Sequence, residues 1–346
     1  MKWGLTLKGV NRVTRAEFAA AIKEKYVTNG TGEMGKRYEV YDALFHTGSK
    51  LIEYFSSHER IMISVSGGSD SDCIVHLVCT YFPEFIEKCH FVFVNTGLEY
   101  AATKRHLTDI EQKYGIEIER IRGKSVVWAV RKYGVPILNK SKAKTLGEFL
   151  RRTKRGYYLV FEYESSYYGF TEAERNLARY LDENKIMVSA KCCEVSKKNP
   201  SHKYAKQNGI DLTVTGIRKS EGGQRATTYK SCFQEYKKNY PAIFMPLFWW
   251  SDDAKDTFKR TEGIRFSDCY EVWGMKRTGC VGCPFGKNTA EELELMHRYE
   301  PRLYKACMNV FGKSYELTDK FNCRQKKCLP DSFQLTLTGE IERNSP

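Results

Sequence analysis

The stretch Ile61-Met62-Ile63-Ser64-Val65-Ser66-Gly67-Gly68-Ser69-Asp70-Ser71-Asp72 decides the fold. Ile61 to Val65 is short and almost wholly apolar, as a buried strand requires, and Ser66 to Ser71 supplies glycines and small polar side chains for a tight loop. Asp72 to Phe82 reads as a helix stopped by Pro83. In a strand–loop–helix of this kind Gly67 and Gly68 let the backbone come close and turn unusually, so that consecutive N–H groups and the helix N-terminus face a pyrophosphate. The Ser66 and Ser71 hydroxyls would donate to phosphate oxygens, and Asp70 would orient the loop or hold Mg²⁺. The plain alternative is a glycine turn with a Ser/Asp N-cap. The full Ser-Gly-Gly-x-Asp-Ser pattern between a strand and a helix outweighs it. Neither Gly-x4-Gly-Lys-Ser/Thr nor Gly-x-Gly-x-x-Gly occurs at this place.

Outward from this loop, strand and helix patterns alternate. Phe91 to Val94 is a second strand ending in Asn95-Thr96-Gly97, Glu99 to Tyr114 is helical, and Ile116 to Ile121 alternates as a half-exposed edge strand would. Ile186 to Val188 and Leu212 to Thr215 are further strand candidates. Strands separated by helices of this length predict an α/β fold: a Rossmann-like parallel sheet with helices on both faces, whose ligands sit at the carboxyl ends of the strands. Ser66 to Ser71, Asn95 to Gly97 and Gly216 to Arg218 all fall at such ends. Before this region, Phe18, Ile22 and Tyr26 mark one face of a helix and Tyr38 to Phe55 a second amphipathic stretch. The expected organisation is a helical N-terminal extension over 1–58, a nucleotide-binding α/β domain over 59–245, and a less regular, Cys-containing C-terminal subregion over 246–346. Phe248-Trp249-Trp250 is expected in a core, and Tyr157-Tyr158 either there or stacked on bases.

The 346 residues are 41% hydrophobic and 28% charged, which excludes a disordered or collagenous chain, and the formal charge is +14. No apolar run reaches the roughly 18 residues of a membrane span, and the N-terminus lacks a secretory pattern, so no membrane partner and a cytoplasmic location are expected. In a reducing compartment the 12 cysteines point to burial, metal or redox roles rather than disulfides. The positive charge, with a local cluster at Arg151-Arg152-Thr153-Lys154-Arg155, suits nucleotide phosphates or a nucleic-acid backbone, or simply a solvated face.

Ser66-Gly67-Gly68-Ser69-Asp70-Ser71 resembles the PP-loop of the adenine nucleotide α-hydrolase superfamily, the ATP pyrophosphatases and sulfonucleotide reductases. Asn95-Thr96-Gly97-Leu98-Glu99-Tyr100, Tyr133-Gly134-Val135-Pro136-Ile137, and Thr215-Gly216-Ile217-Arg218 with Glu221 and Arg225 narrow the likeness to the phosphoadenylyl sulfate (PAPS) reductase-like family, over roughly residues 60 to 305. The resemblance implies that Ser66, Gly67, Gly68, Ser69, Asp70 and Ser71 bind the phosphates of ATP or an adenylyl nucleotide. It implies that Asn95, Thr96 and Gly97 line the adenine and ribose through their backbone. Gly216 opens the arginine element, in which Arg218 and Arg225 would meet the anionic end of the nucleotide or substrate; with Asp70 these are the catalytic candidates. A guanidinium fork suits bidentate binding of phosphate or sulfate.

Cys192-Cys193 and the distant Cys280-Val281-Gly282-Cys283 resemble the four-ligand set of the [4Fe-4S] members of this family, with Cys232 as a substitute for one of the adjacent pair. Lys191, Lys197, Lys198, Lys276 and Arg277 flank the two halves and would favour thiolates. A zinc site is the rival, although adjacent cysteines chelate one tetrahedral ion awkwardly. Cys73, Cys79 and Cys89 read as buried thiols, while Cys307, Cys323 and Cys328 carry no assignment.

Three activities compete. The first is ATP-dependent sulfur transfer, with adenylation of an acceptor such as DNA or RNA, release of pyrophosphate, and sulfur supplied by a donor such as a cysteine desulfurase. The second is reduction of adenylyl sulfate or PAPS with an external reductant. Reductases of the family carry their nucleophile in Glu-Cys-Gly-Leu-His, absent here, so only Cys323 and Cys328 could serve. The third is a non-catalytic nucleotide-binding regulatory module.

Overall fold

The computed structural model describes residues 12–165, 169–222, 227–235, 240–323 and 327–330, and the backbone of two further short strands, Phe333–Leu335 and Ile341–Arg343. By contacts the chain divides into two units, each drawn from three stretches: 1–93, 102–121 and 201–272 in the first, 94–101, 122–200 and 273–346 in the second.

Six strands form one sheet: β1 (Ile61–Ser64), β2 (Cys89–Asn95), β3 (Ile118–Arg122), β4 (Leu212–Val214), β5 (Phe233–Gln234) and β6 (Ala242–Phe244), in the order β3-β2-β1-β4-β6-β5. β1 pairs in parallel with β2 and β4, β4 pairs in parallel with β6, and the two-residue β5 closes the edge antiparallel to β6. This is the expected Rossmann-like α/β arrangement. Alternate residues of β1 serve different cores. Ile61 and Ile63 join a large cluster with Ile74, Leu77 and Phe258, whereas Met62 joins Val92, Tyr204 and Ile210 in a smaller one. A strand apolar on both faces, as Ile61-Met62-Ile63 is, belongs in the middle of a covered parallel sheet.

The first helix, Arg15–Ile22, starts at a capping box in which Thr14 and Glu17 bond each other's backbone. Its Phe18 and Ile22, with Tyr26 and with Val40, Leu44, Leu51 and Phe55 of helix Met34–Ser57, lie in the same cluster as β1. Thr47 ties that helix further. It is buried, donates to Pro246 O at 2.9 Å and accepts from Trp250 Nε1 at 2.8 Å. Trp250 is thus in the core as expected, but Trp249 is exposed, its ring facing Lys219 Nζ at 5.0 Å.

In the second unit, helices Lys140–Leu150 and Glu172–Glu183 pack Leu146, Phe149, Leu177 and Leu181 around Ile137, Val160, Val188 and Leu317. The Ile186–Val188 stretch does not form a strand. Lys185 before it takes a positive φ of 54°, and only Val188 makes a bridge, to Val135. The C-terminal subregion is more regular than expected: helix Thr289–Tyr299 is followed by the 20-residue helix Pro301–Lys320. Pro301 stands at its first position, and Tyr304, Cys307, Phe311, Tyr315 and Thr318 recur at the helical period on its buried side. Among the described residues, no helix is long and apolar enough to cross a membrane.

Candidate functional site

The glycine loop lies wholly in the first unit. Helix Ser69–Tyr81 begins three residues earlier than expected, so Ser69, Asp70 and Ser71 form its first turn and the loop proper is Val65 to Gly68. Gly67 takes φ +66°, and a Cβ there would stand 2.7 Å from Thr103 Cγ2. Both facts require glycine. Ser71 knits the loop from inside: its Oγ accepts from the N–H groups of Ser66 and Gly68, each at 3.2 Å, and donates to Gly68 O at 2.8 Å. Gly216, beyond the end of β4, crosses this first turn so closely that a Cβ would lie 3.0 Å from Asp70 Cβ.

Arg218 reaches the same turn. Its Nε donates to Asp70 Oδ1 at 2.7 Å and its Nη1 to Asp252 Oδ1 at 2.7 Å and Ser220 Oγ at 2.8 Å. Arg218 is buried; burial alone would disfavour its charge, but the two carboxylates hold the guanidinium above its ordinary pKa. Lys255 adds a second cation, 3.2 Å from Ser69 Oγ and 3.4 Å from Asp70 Oδ1. Behind the turn, buried Asp72 pairs with His106 Nε2 at 2.7 Å. Burial raises the Asp72 pKa; for His106 burial is outweighed by the Asp72 carboxylate, which keeps the imidazole above its ordinary range. Asp252, Lys255 and His106 had no signal in the sequence, being brought in by helices Asp252–Glu262 and Ala101–Tyr114. Arg225 lies outside the described residues.

Asn95, Thr96 and Gly97 belong to the second unit, where they close on themselves. Glu99 Oε1 accepts from Thr96 N–H at 2.9 Å and from its hydroxyl at 2.6 Å, Asn95 Oδ1 accepts from Gly97 N–H at 2.8 Å, and Gly97 takes φ +91°.

The second unit also gathers Cys192, Cys193, Cys280 and Cys283, near enough for their charges to interact. The neighbouring Cys192 thiol lowers the Cys193 pKa, with Lys140 and Lys197 adding to the effect; Cys192, the partner, is raised. Burial raises Cys280 against the pull of Lys197, and pushes Cys283 up to about 12. Of the basic residues flanking these cysteines in sequence, Lys197 acts on them, whereas Lys191 stacks over Tyr133 at 4.8 Å; Lys140 comes from a distant segment. Cys232 is placed elsewhere, buried in the first unit beside Lys50 and Tyr54. Among the described residues, no three His, Cys, Asp or Glu side chains converge as a single metal ion requires.

Buried groups hold the Cys-x-x-Cys turn from behind. Glu292 Oε1 accepts from Gly282 N–H at 3.1 Å and from the Tyr100 hydroxyl, and the Tyr315 hydroxyl donates to Gly282 O. Gly282 has φ +59°, and a Cβ would stand 2.9 Å from Tyr315 Oη. Gly282→Ala should therefore lower stability by about 1–2 kcal/mol, as backbone strain of this kind costs; urea unfolding checks it.

Residues 60–137 and 136–285 match the phosphoadenosine phosphosulfate reductase domain. The chain belongs to this family. An uncharacterized protein of Methanocaldococcus jannaschii is 28% identical over 335 residues, an alignment that takes in 90% of this chain; the chain spans 58% of that relative's length. Among solved structures, phosphoadenylyl-sulfate reductase from Candida auris aligns with 68% of this chain and 87% of its own at 12% identity and a TM-score of 0.42. Yeast FAD synthetase aligns with 89% of this chain and 92% of its own at 13% identity and 0.45, and Candida glabrata FMN adenylyltransferase with 78% and 71% at 14% and 0.44. The family match takes in the glycine loop, the Asn95 turn, the arginine element and all four clustered cysteines.

Proposed function

We propose that this PAPS reductase-like chain is an ATP-dependent sulfur-transfer enzyme carrying a [4Fe-4S] cluster on Cys192, Cys193, Cys280 and Cys283. The observation that carries the reading is the gathering of four thiols from distant segments in the same chain as an intact Ser-Gly-Gly-x-Asp-Ser loop. The cluster would supply soft, thiolate-compatible sulfur and electron chemistry. The N-terminal first turn of helix Ser69–Tyr81 would bind the pyrophosphate end of ATP, and the Ser66 and Gly68 N–H groups would exchange Ser71 Oγ for phosphate oxygens. Asp70 would hold Mg²⁺ together with those phosphates, since this ion is commonly bound by one or two carboxylates plus phosphate oxygens, and the ion would help neutralise the phosphate charge. An oxygen of the acceptor attacks the α-phosphorus and the bond to the β-phosphate oxygen breaks, releasing pyrophosphate. Sulfide-level sulfur, delivered by an external donor whose persulfide is reduced by two electrons, then forms the new bond to the acceptor as the bond to the AMP oxygen breaks, and AMP leaves. Lys255 and the loop amides neutralise the departing pyrophosphate, and Arg218 is a positioning residue that holds Asp70.

A nucleic acid is the proposed acceptor. In the second unit Arg152, Lys154, Tyr157 and Tyr158 line one groove, with both tyrosines exposed. Arg152 is only partly neutralised there, by exposed pairing with Asp182 at 2.8 Å. Exposed cations beside stackable rings suit a single-stranded polyanion. Substituting Arg152 and Lys154 by alanine should flatten the dependence of log affinity on log salt by about 1–2, from roughly 0.7 per lost phosphate contact; equal slopes remove this face from the footprint.

The family's name favours a second reading, reduction of a sulfonucleotide. The tail thiols weigh against it. Burial pushes Cys323 up to about 12, against a thiolate, and Cys328 is buried, its N–H anchored on Asp319 Oδ1 at 2.7 Å, away from an incoming nucleotide. Anaerobically purified protein should release pyrophosphate from ATP, with nucleic acid stimulating the rate, and should contain iron and acid-labile sulfide. Sulfite formed from adenylyl sulfate and a thioredoxin-like reductant, without pyrophosphate release from ATP, overturns sulfur transfer in favour of reduction. A colourless zinc protein after reconstitution overturns the cluster.

A further inference from the structure

A cavity of about 390 Å³ opens in the first unit between helix Ala101–Tyr114 and the segment Ile264–Asp268, and none of Ser66 to Ser71 lines it. Its size falls within the range of small-molecule sites. One wall is the helix face Arg105, His106, Asp109 and Lys113; the other carries Arg265 and Ser267, with Ile110, Ile264 and Phe266 as an apolar shelf.

Three features of this cavity point to an anion. Arg105 and Arg265 converge on one carboxylate, Asp268, at 3.6 and 2.9 Å, though both guanidiniums are mostly exposed and free to move to a better ligand. Lys113 adds a third cation, so three cations face two carboxylates, Asp109 and Asp268, with Asp72 already matched by His106. Ser267 is 1% exposed, and its Oγ has no hydrogen-bond partner among the described residues. An orphaned buried hydroxyl costs about 1–3 kcal/mol, a cost that a ligand oxygen would remove.

We propose that this cavity is a second anion site, separate from the glycine loop, which takes a small phosphorylated or sulfated molecule. Arg105 and Arg265 clasp the oxyanion, Ser267 donates to it, and the organic group lies on Ile110, Ile264 and Phe266. Planar guanidiniums are the side chains suited to two-oxygen contacts with such groups.

Calorimetric titration of the full chain with inorganic phosphate, inorganic sulfate and phenyl phosphate tests this, using two double variants. Arg105→Ala with Arg265→Ala should weaken phosphate or sulfate binding at this site at least tenfold, whereas Ser66→Ala with Ser71→Ala should leave it intact. The comparison of phosphate with sulfate tells which ester the site prefers, and tighter binding of phenyl phosphate reports the apolar shelf. Hydrogen exchange on the unaltered protein should show phosphate protecting residues 101–114 and 264–268, which needs no variant to fold. The proposal is overturned if the arginine pair leaves binding unchanged, or if protection and binding belong to the loop alone. Loss of ATP binding in the loop variant, with phosphate binding at the cavity kept, bears only on the nucleotide reading, so the two failures are distinct.

Discussion

Arg218→Ala should cost about 3 kcal/mol of stability and at least a hundredfold in pyrophosphate release from ATP. The guanidinium is 6% exposed and bridges Asp70 to Asp252, each at 2.7 Å. Removing it leaves the Asp70 carboxylate, 17% exposed, without its main partner, and breaking a buried pair in this way costs about 3–5 kcal/mol. The lower end applies because Asp252 is exposed and Lys255 stays 3.4 Å from Asp70. Arg218→Lys should recover little, since one ammonium cannot reproduce the fork that serves Asp70, Asp252 and Ser220 together. Arg218→Ala combined with Asp70→Asn separates the two effects. Stability should return, because the orphaned charge is gone, while pyrophosphate release should not, because the first turn has lost both its carboxylate and its clamp. Urea unfolding and steady-state pyrophosphate release read the two quantities. A single variant with wild-type stability removes the clamp, and a double variant with restored turnover removes Asp70 from the site.

How much of this was legible follows from which contacts are local. The β1–loop–helix start could be read from Ile61 to Ser71 because strand length, glycine placement and helix period are encoded within twenty residues. The parallel sheet follows from the alternation of strand and helix, although Ile186 to Val188 has a strand pattern without forming one and the three-residue β6, Ala242–Phe244, has too little pattern to read. The sheet's edge β5, two residues long, carries no such signal. The C-terminal helix Pro301–Lys320 was encoded as clearly as any, but its buried positions include Cys307, Ser314 and Thr318, which blur an apolar stripe. Within the candidate site, Gly67, Gly216 and Arg218 stood out because each sits beside a glycine turn. Asp252, Lys255 and Lys140 did not, since their partners lie far away in sequence and an isolated charge on a helix is ordinarily solvated. The same holds for Glu262, a buried carboxylate with four donors that looks like an ordinary acidic residue at a helix end.

Glu262→Gln should destabilise the protein by about 3 kcal/mol at pH 7, with a gap that closes in acid. Glu262 closes helix Asp252–Glu262, where its charge opposes the helix dipole, so its place there needs another cause. That cause is four donors. Oε2 takes Lys25 Nζ at 2.7 Å and His76 Nε2 at 3.1 Å, and Oε1 takes the Tyr81 hydroxyl at 2.6 Å and that of Tyr26. These join the N-terminal helices to helices Ser69–Tyr81 and Asp252–Glu262. The side chain is 3% exposed, and burial by itself would raise its pKa; the donors outweigh burial and bring it down to about 2. Glutamine keeps the shape but turns an N–H₂ toward donors, leaving buried hydrogen-bonding groups unmatched, which costs a few kcal/mol. The sign of the pH effect follows. A carboxylate whose folded pKa lies below its unfolded value of 4.5 contributes fully above that value, and its contribution is lost as pH falls toward about 2. The stability difference between the native chain and Glu262→Gln should therefore be flat from pH 7 to about 5 and shrink steadily below, as urea midpoints measured across that range would read. A difference that stays constant to pH 3, or widens, means that Glu262 is not the charged hub of these helices and that the tyrosine and lysine contacts act without it.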